Sequence, residues 1–323
     1  MRPEPGPVHR LPLHGEWTSL PLIDYLCLLW PDRAQRTIRE LFANGLVRQG
    51  KMPVSPRTRV GEVDELTLHA DPEAIPRMFS GPPPEPRCEP GILHEDERLV
   101  VLSKPAGLSV VPDRSEARGS CLEFLARREI LARAAKPPRE YLRPRVVHRI
   151  DRWTSGLVIV AKTPDAERRL AADFEARRVR KEYLAIVSGS MAPARVVVSC
   201  PVGPGRKGKM RAVAAGARGG RDARTTFDAL ERLGDVTLVR ALPETGRQHQ
   251  IRVHAWVMGH PLAIDPLYAV GPDAYHGPPL AGIDRLTLHA HRYTLPPDWD
   301  EPRSFCCPPP DDFQRALDAL REG

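Results

Sequence analysis

Two spacings of apolar residues divide this chain. Near the N-terminus Leu22, Leu26 and Leu29 fall at i, i+4, i+7, the period of one helix face, and Ser19 is placed to cap that helix. A second helical stripe of Ala34, Ile38, Leu41 and Phe42 follows Asp32 as its cap and stops at Gly45. The next stretch, GLVRQGKMPVSPRTRVGEVDEL, breaks short apolar pieces with Gly and Pro, which predicts a small sheet. From residue 98 the runs become strand-length: RLVVLSKP at 98–105, LVIVA at 157–161 and YLAIV at 183–187. Between them TPDAERRLAADFEARRV predicts a helix with Thr163 as cap and Pro164 in the first turn, where a missing N–H costs nothing. DVTLVRALPETGRQHQIRVHAWVMGHPL reads as a strand, a turn and an amphipathic helix, and RLTLHAHRYTL alternates like a half-buried strand. The predicted product is a sizeable mixed sheet with helices on its faces.

Breakers set the expected boundaries. Residues 71–90 contain GPPPEPRCEP, too rich in proline for a helix or a central strand, and read as a stiff linker. It separates a small unit at 15–70 from a larger one at 91–323. Residues 201–225, PVGPGRKGKMRAVAAGARGGRDART, are Gly-rich and basic, and predict a long surface hairpin or flap rather than core.

Charge shifts the picture modestly. Lys and Arg exceed Asp and Glu by 48 to 41 over 323 residues, which favours polyanionic partners without requiring one. The six cysteines are scattered, with no CxxC pair and none beside a histidine at ligand spacing, so no metal site is expected. The N-terminus lacks the apolar core of a signal peptide, and no run of about 18 apolar residues occurs. A soluble, reducing, cytoplasmic protein is expected, with no membrane association. On the second helix Arg33, Arg36 and Arg39 share one face at i, i+3, i+6. Two helices with that stripe and a small sheet resemble the αL-type RNA-binding module of ribosomal and RNA-modifying proteins; the competing reading is a solvated basic face.

The larger unit carries a more specific resemblance. HRIDRWTSG at 148–156 resembles the HRLDxxTSG signature of the RluA-type pseudouridine synthases, enzymes that turn uridine in RNA into its carbon-linked isomer. LVVLSKPAGLSVVP (99–112) resembles the strand and turn that open that family's catalytic domain, and RKEYLAIV (180–187) carries its Lys-x-Tyr motif. ETGRQHQIRVHAWVMGHPLAIDPLYA (244–269) and RLTLHA (285–290) follow in the same order. The resemblance implies an α+β fold: a mixed, largely antiparallel sheet with flanking helices as catalytic domain at 91–323, and a small α/β RNA-binding module at 15–70.

It also implies site residues. Isomerising uridine breaks the bond from ribose to ring nitrogen, turns the base over and rejoins it through a ring carbon, with no redox change and no net hydrolysis. No nicotinamide, ATP, metal or other cofactor is expected. The reaction needs a carboxylate to attack the sugar or stabilise a glycal-forming path, and groups that hold the base and move a proton. By the resemblance Asp151 is that carboxylate, shielded from water and held ionised by Arg252, since desolvation alone would raise its pKa. Arg247 reads as structural or RNA-facing. Tyr183 matches the tyrosine that stacks on the target base and is a candidate base for a sugar proton; a plain core tyrosine is the rival. Arg149 is the candidate to fill the gap left when the uridine flips out of folded RNA. His148, His249 and His254 read as structural histidines. Three departures stand out: Ile150 for Leu, Gln248 for Thr, and Ile264 where a Gly is usual. An Ile would be awkward at that last position if the loop needs φ > 0.

A glycosidase-like hydrolase would need a second carboxylate about 5 to 10 Å from Asp151, and the sequence offers no evident partner. The remaining alternatives are a transfer-RNA-directed synthase and an inactive RNA-binding homologue. Ribosomal RNA is the favoured partner, by analogy, and a monomer is expected.

Overall fold

The computed structural model describes residues 8–11, 13, 18, 21–29, 35–69, 88–111, 119–125, 128, 144–205, 209–270, 275–277, 280 and 282–322, without the side chains of 27–29 and 35–37. The chain divides into two units, Met1–Glu89 with Val111–Pro144, and Pro90–Val110 with Arg145–Gly323. The proline-dense segment at 70–87 lies outside the described residues.

In the first unit the two helical stripes form α1 (Leu22–Leu29) and α2 (Gln35–Ala43). Gly45, at φ +64°, closes α2, and Leu46 N–H donates to the Leu41 carbonyl at 2.9 Å in the manner of a left-handed C-cap. The expected caps Ser19 and Asp32, and Ala34, lie outside the described residues. The sheet has the order β1-β4-β2-β3, built from β1 (Val8–Leu11), β2 (Val47–Gln49), β3 (Met52–Pro53) and β4 (Leu66–His69), all antiparallel. Strand β4 alternates, burying Leu66 and Leu68 against Leu22, Leu26, Ile38 and Val47. The sheet starts before residue 15 because β1 pairs with β4 some 58 positions later (Val8 opposite His69, Leu11 opposite Leu66), a pairing no local pattern displays.

The second unit holds one ten-stranded sheet. Its strands are β5 (Gly91–Glu95), β6 (Leu99–Lys104), β7 (Arg145–Val146), β8 (Ser155–Ala161), β9 (Arg180–Ser188), β10 (Arg195–Ser199), β13 (Arg224–Leu233), β14 (Val236–Pro243), β15 (Leu288–Thr294) and β16 (Ser304–Cys306). A separate two-stranded ribbon joins β11 (Val202–Pro204) to β12 (Met210–Ala212). The order is β10-β13-β14-β9-β15-β8-β6-β5, with β16 beside β15 and β7 beside β8. All its pairs are antiparallel except β15 with β8. Helices α3 (Pro164–Glu175), α4 (Gln250–Val257) and α5 (Asp311–Glu322) complete the unit. Thr163 caps α3, its Oγ1 accepting from Ala166 N–H at 3.2 Å. Phe313, Ala316 and Leu317 of α5 are buried with Ile186, Val236 and Leu238.

Strand β8 is buried along its whole length, which is why its sequence is a continuous apolar run. Its parallel contact with β15 sets Gly156 opposite Ala290. A Cβ on Gly156 would sit 2.2 Å from the Ala290 carbonyl oxygen, and its φ is +109°, so the glycine of the HRIDRWTSG stretch is fixed by strand approach. Within 201–225, β11 and β12 pair antiparallel, and the stretch is not only surface: Val202 and Ala223 are buried against Val253 of α4. The feared strain at Ile264 does not arise. Among the described non-glycine residues only Arg177 and His249 have positive φ, and Ile264 packs against the Ile186 cluster.

Gly156→Ala combines backbone strain with a backbone clash. It is expected to cost about 2 to 6 kcal/mol, read as lost soluble yield and a lowered Tm; a Tm within 2 °C of the parent, on the order of experimental error, would show that β8 and β15 can separate. His148 is half-buried, accepts from Ile159 N–H at 2.9 Å, and stacks on Phe174. Burial, then the nearby Lys181 charge, depress its pKa to about 3. Because the unfolded chain takes up this proton near the ordinary histidine pKa and the folded chain does not, stability falls as pH drops below about 6.5 toward 3. Melting curves at pH 7 and 5 should therefore show a larger drop for the parent than for His148→Asn.

Candidate active site

Asp151 opens a tight turn in which Thr154 N–H donates to its carbonyl at 3.0 Å. The turn is held from the loop after β6. Lys104, buried at the end of that strand, donates through Nζ to the carbonyls of Pro105 (3.0 Å), Leu108 (2.7 Å) and Arg152 (2.8 Å). Gly107 N–H donates to Arg152 O, and Arg152 Nε to Gly107 O, both at 2.9 Å. Three acceptors satisfy the three donors of the ammonium, so a buried cation ties the backbone just after Asp151 to the loop that follows β6.

On the facing side a second turn leads into α4. The buried Gln250 accepts through Oε1 from Thr245 Oγ1 (2.6 Å) and Arg247 N–H (3.0 Å), and donates through Nε2 to Arg224 O and Thr225 Oγ1, both at 3.0 Å. This network sets the first turn of α4, from which Arg252 projects. Arg252 Nη1 donates to Asp151 Oδ2 at 3.0 Å, while Nε and Nη2 donate to Asp265 Oδ2 and Oδ1 at 2.8 Å each. Asp265 also accepts from the backbone N–H groups of Leu267 (2.9 Å) and Tyr268 (3.2 Å). Burial opposes the Arg252 charge, but the hydrogen bonds and charges of Asp265, then those of Asp151, outweigh it and raise the pKa. The guanidinium lies 5.0 Å from the Tyr268 ring centroid, a cation–π contact.

His249, at φ +54° just before α4, shares a 2.9 Å hydrogen bond between Nδ1 and Tyr268 Oη, and its Nε2 is 3.9 Å from Asp151 Oδ2. Burial, assisted by Arg252, lowers its pKa against the opposing pull of Asp151 and Asp265. Met210 N–H donates to Tyr268 Oη at 2.9 Å, and Lys209 Nζ to Leu267 O at 2.8 Å, so the β11–β12 hairpin braces this loop. Tyr183, on β9, is almost buried, with its hydroxyl 2.6 Å from that of Tyr293. Desolvation pushes its pKa up to about 12; the Tyr293 hydrogen bond opposes this and the Asp151 charge reinforces it. A neutral phenol suits stacking or donation better than proton abstraction.

The fold thus joins Asp151 to Arg252 and places Tyr183 within electrostatic reach of them. Arg149 is exposed two residues before Asp151. Arg39 is exposed on α2, whereas Arg33 and the side chain of Arg36 lie outside the described residues. One expectation needs correction: the Asp151 side chain is 25% exposed, and the sequestered carboxylate is Asp265, at 0%. No local sequence pattern marks Asp265, Tyr268 or His249 as neighbours of Asp151 and Arg252. All lie in the 244–269 stretch, but nothing in it shows that Arg252 turns back onto Asp265. His254 is satisfied, with Nδ1 bonded to Thr225 Oγ1 and Nε2 to Cys200 O. Among the described residues no cluster of three or more His, Cys, Asp or Glu is arranged to hold a metal, and no helix is long and apolar enough to cross a membrane.

Removing Arg252 would strand the buried Asp265 as well as free Asp151. Arg252→Ala should lose about 3 to 5 kcal/mol and a correspondingly lower Tm, whereas Asp151→Asn, at a partly exposed position, should melt within about 0.5 kcal/mol of the parent. Equal melting of all three proteins would remove Asp265 as the anchor.

Comparison with known proteins bears on this geometry. A family model described as RNA pseudouridylate synthase matches residues 98–256. The ribosomal large subunit pseudouridine synthase C of Vibrio vulnificus is 33% identical over 90% of this chain and 89% of its own length. Synthase D of Nitrosomonas europaea is 37% identical over 71% of this chain, which spans 65% of that relative. Among solved structures, human RNA pseudouridylate synthase domain containing 4 aligns with a TM-score of 0.57 and 27% identity, covering 72% of this chain and 93% of its own.

Proposed function

Since the chain belongs to the RNA pseudouridylate synthase family, isomerases that act on RNA, we propose that it converts specific uridines of large-subunit ribosomal RNA to pseudouridine through Asp151. The observation that carries this is the 3.0 Å contact of Asp151 with an arginine already clamped by a second, fully buried carboxylate. Arg252 cannot follow its own flexibility toward solvent, so the Asp151 carboxylate is oriented before substrate arrives. The choice of ribosomal over transfer RNA follows the relatives' names.

In the reaction the bond from ribose to the ring nitrogen breaks with Asp151 attacking the sugar or stabilising a glycal path. The base turns over and a bond to ring carbon forms, either as the Asp151–sugar bond breaks or as the proton taken from the sugar on the glycal path is returned, and the proton lost from that carbon is balanced by one gained at the ring nitrogen. Tyr183 offers its ring to the base as a neutral phenol. Arg149, exposed beside the turn, stacks into the space the flipped uridine leaves. Since no electron or phosphoryl group is transferred, the reading needs no nucleotide cofactor. It places the protein in the cytoplasm as a monomer, with the N-terminal unit as an RNA-binding arm working through Arg33, Arg36 and Arg39.

Asp151→Asn should bind RNA but form no isomer. Turnover above a few per cent, with reversion to Asp by deamidation excluded, would refute the assignment. Mapping carbon-linked uridines in ribosomal and transfer RNA with and without the gene identifies the substrate: loss of a site in transfer RNA alone would replace the ribosomal reading, and no loss anywhere would mean an inactive homologue. For the arm, replacing Arg33, Arg36 and Arg39 together by Gln should flatten the slope of log affinity against log salt by about two to three, with little change at saturating RNA. An unchanged slope would make the stripe a solvated helix face.

A further inference from the structure

Away from the Asp151–Arg252 contact, the second unit gathers cations on which, among the described residues, like charges outnumber acids. Lys181, two residues before Tyr183 on β9, feels the positive charges of Arg177 and Arg247, and Arg247 feels Arg221 and Arg177; Asp222 is the one opposing charge acting on Arg247. Lys181 Nζ donates to the Thr245 carbonyl at 3.2 Å, and Arg247 Nε to the Asp222 carbonyl at 3.0 Å, so both are anchored on neutral backbone. Lys181 also borders Gly246, the half-buried His148, whose pKa is held down to about 3, and Tyr293, its cross-strand neighbour on β15.

Arg177 adds an independent sign. It occupies the left-handed position after α3, φ +60°, where Arg178 N–H donates to Asp173 O at 2.8 Å. Gly or Asn is the economical residue there, and an arginine costs strain. Crowded like charges and a strained backbone are unfavourable in the free protein, and an anion relieves the first.

We propose that Arg177, Lys181, Arg221 and Arg247 form a receptor for a backbone phosphate of the RNA strand next to the target uridine. The proposal rests on the reading above that the substrate is RNA. Lys181 and Tyr183, at i and i+2 on one strand, share a face and lie roughly 7 Å apart along it, which sets a phosphate beside the base-holding ring.

The proposal has a pH signature. Burial, then the Arg177 and Arg247 charges, lower the Lys181 pKa to about 8. This cation therefore penalises the free fold below about 8, and the penalty is relieved as pH rises from there toward the ordinary lysine pKa of 10.5. RNA binding has the opposite trend, because the phosphate needs the protonated amine.

The test uses the full chain with in vitro transcribed large-subunit ribosomal RNA, by filter binding. Parent affinity should fall roughly tenfold between pH 7 and 9.5, and Lys181→Arg should lose most of that dependence. Arg177→Gln/Arg221→Gln should flatten the salt slope at pH 7 by about 0.7 to 0.9, the contribution of one phosphate. Free Lys181→Met should melt no lower than the parent at pH 7. An unchanged salt slope, or the same pH dependence in Lys181→Arg, overturns the receptor. Inorganic phosphate raising the parent's Tm while the variants keep parental RNA affinity would make it a free-anion site and likewise sink the RNA assignment. Isomer formation, scored separately on the parent, tests the functional reading itself.

Discussion

The site depends on how Arg252 divides its hydrogen bonds. Two of its nitrogens grip Asp265 and a third reaches Asp151. A planar guanidinium makes this division geometrically strict: once the fork is fixed on one carboxylate, the remaining Nη1 has a set direction. Asp265 is fixed in turn by two backbone N–H groups of its own loop. The buried pair offsets its desolvation internally, and the partly exposed carboxylate of Asp151 is left available to a substrate.

Everything around this pair limits motion. Lys104 and Gly107 fix the Asp151 turn from one side, and the Gln250 network fixes the start of α4 from the other. Behind the turn, β8 lies so close to β15 that only glycine fits at position 156. The hairpin at 201–225 reaches the same loop through Tyr268 and Leu267. Most of these supports are buried polar groups with their partners supplied, the condition under which polar networks stiffen a fold.

The surface surrounding the site has a different electrostatic character. Asp151 and Asp265 have their counter-charge in Arg252, whereas the proposed phosphate receptor leaves cations crowded together. A stable fold would ordinarily pair or separate such charges. Their crowding beside the strand that carries Tyr183 is accounted for in that proposal by an anion that belongs to the substrate.

Local pattern determined much of this protein. The strands at 99–104, 155–161 and 180–188, the Thr163-capped helix, the α2 stop at Gly45 and the ordered motifs from 148 to 290 are all written in short-range periodicity and turn chemistry. Those motifs carried the family and the candidates Asp151, Tyr183 and Arg252. Tertiary structure decided the rest. It paired β1 with β4 and β8 with β15, turned Arg252 onto Asp265, drew the hairpin against α4, and brought Arg177 and Arg221 near Arg247. The physical reason is range. Periodicity records which face of an element meets apolar surroundings, but hydrogen bonds and charges join residues by distance in space, and separations of tens of residues leave no trace in a local pattern.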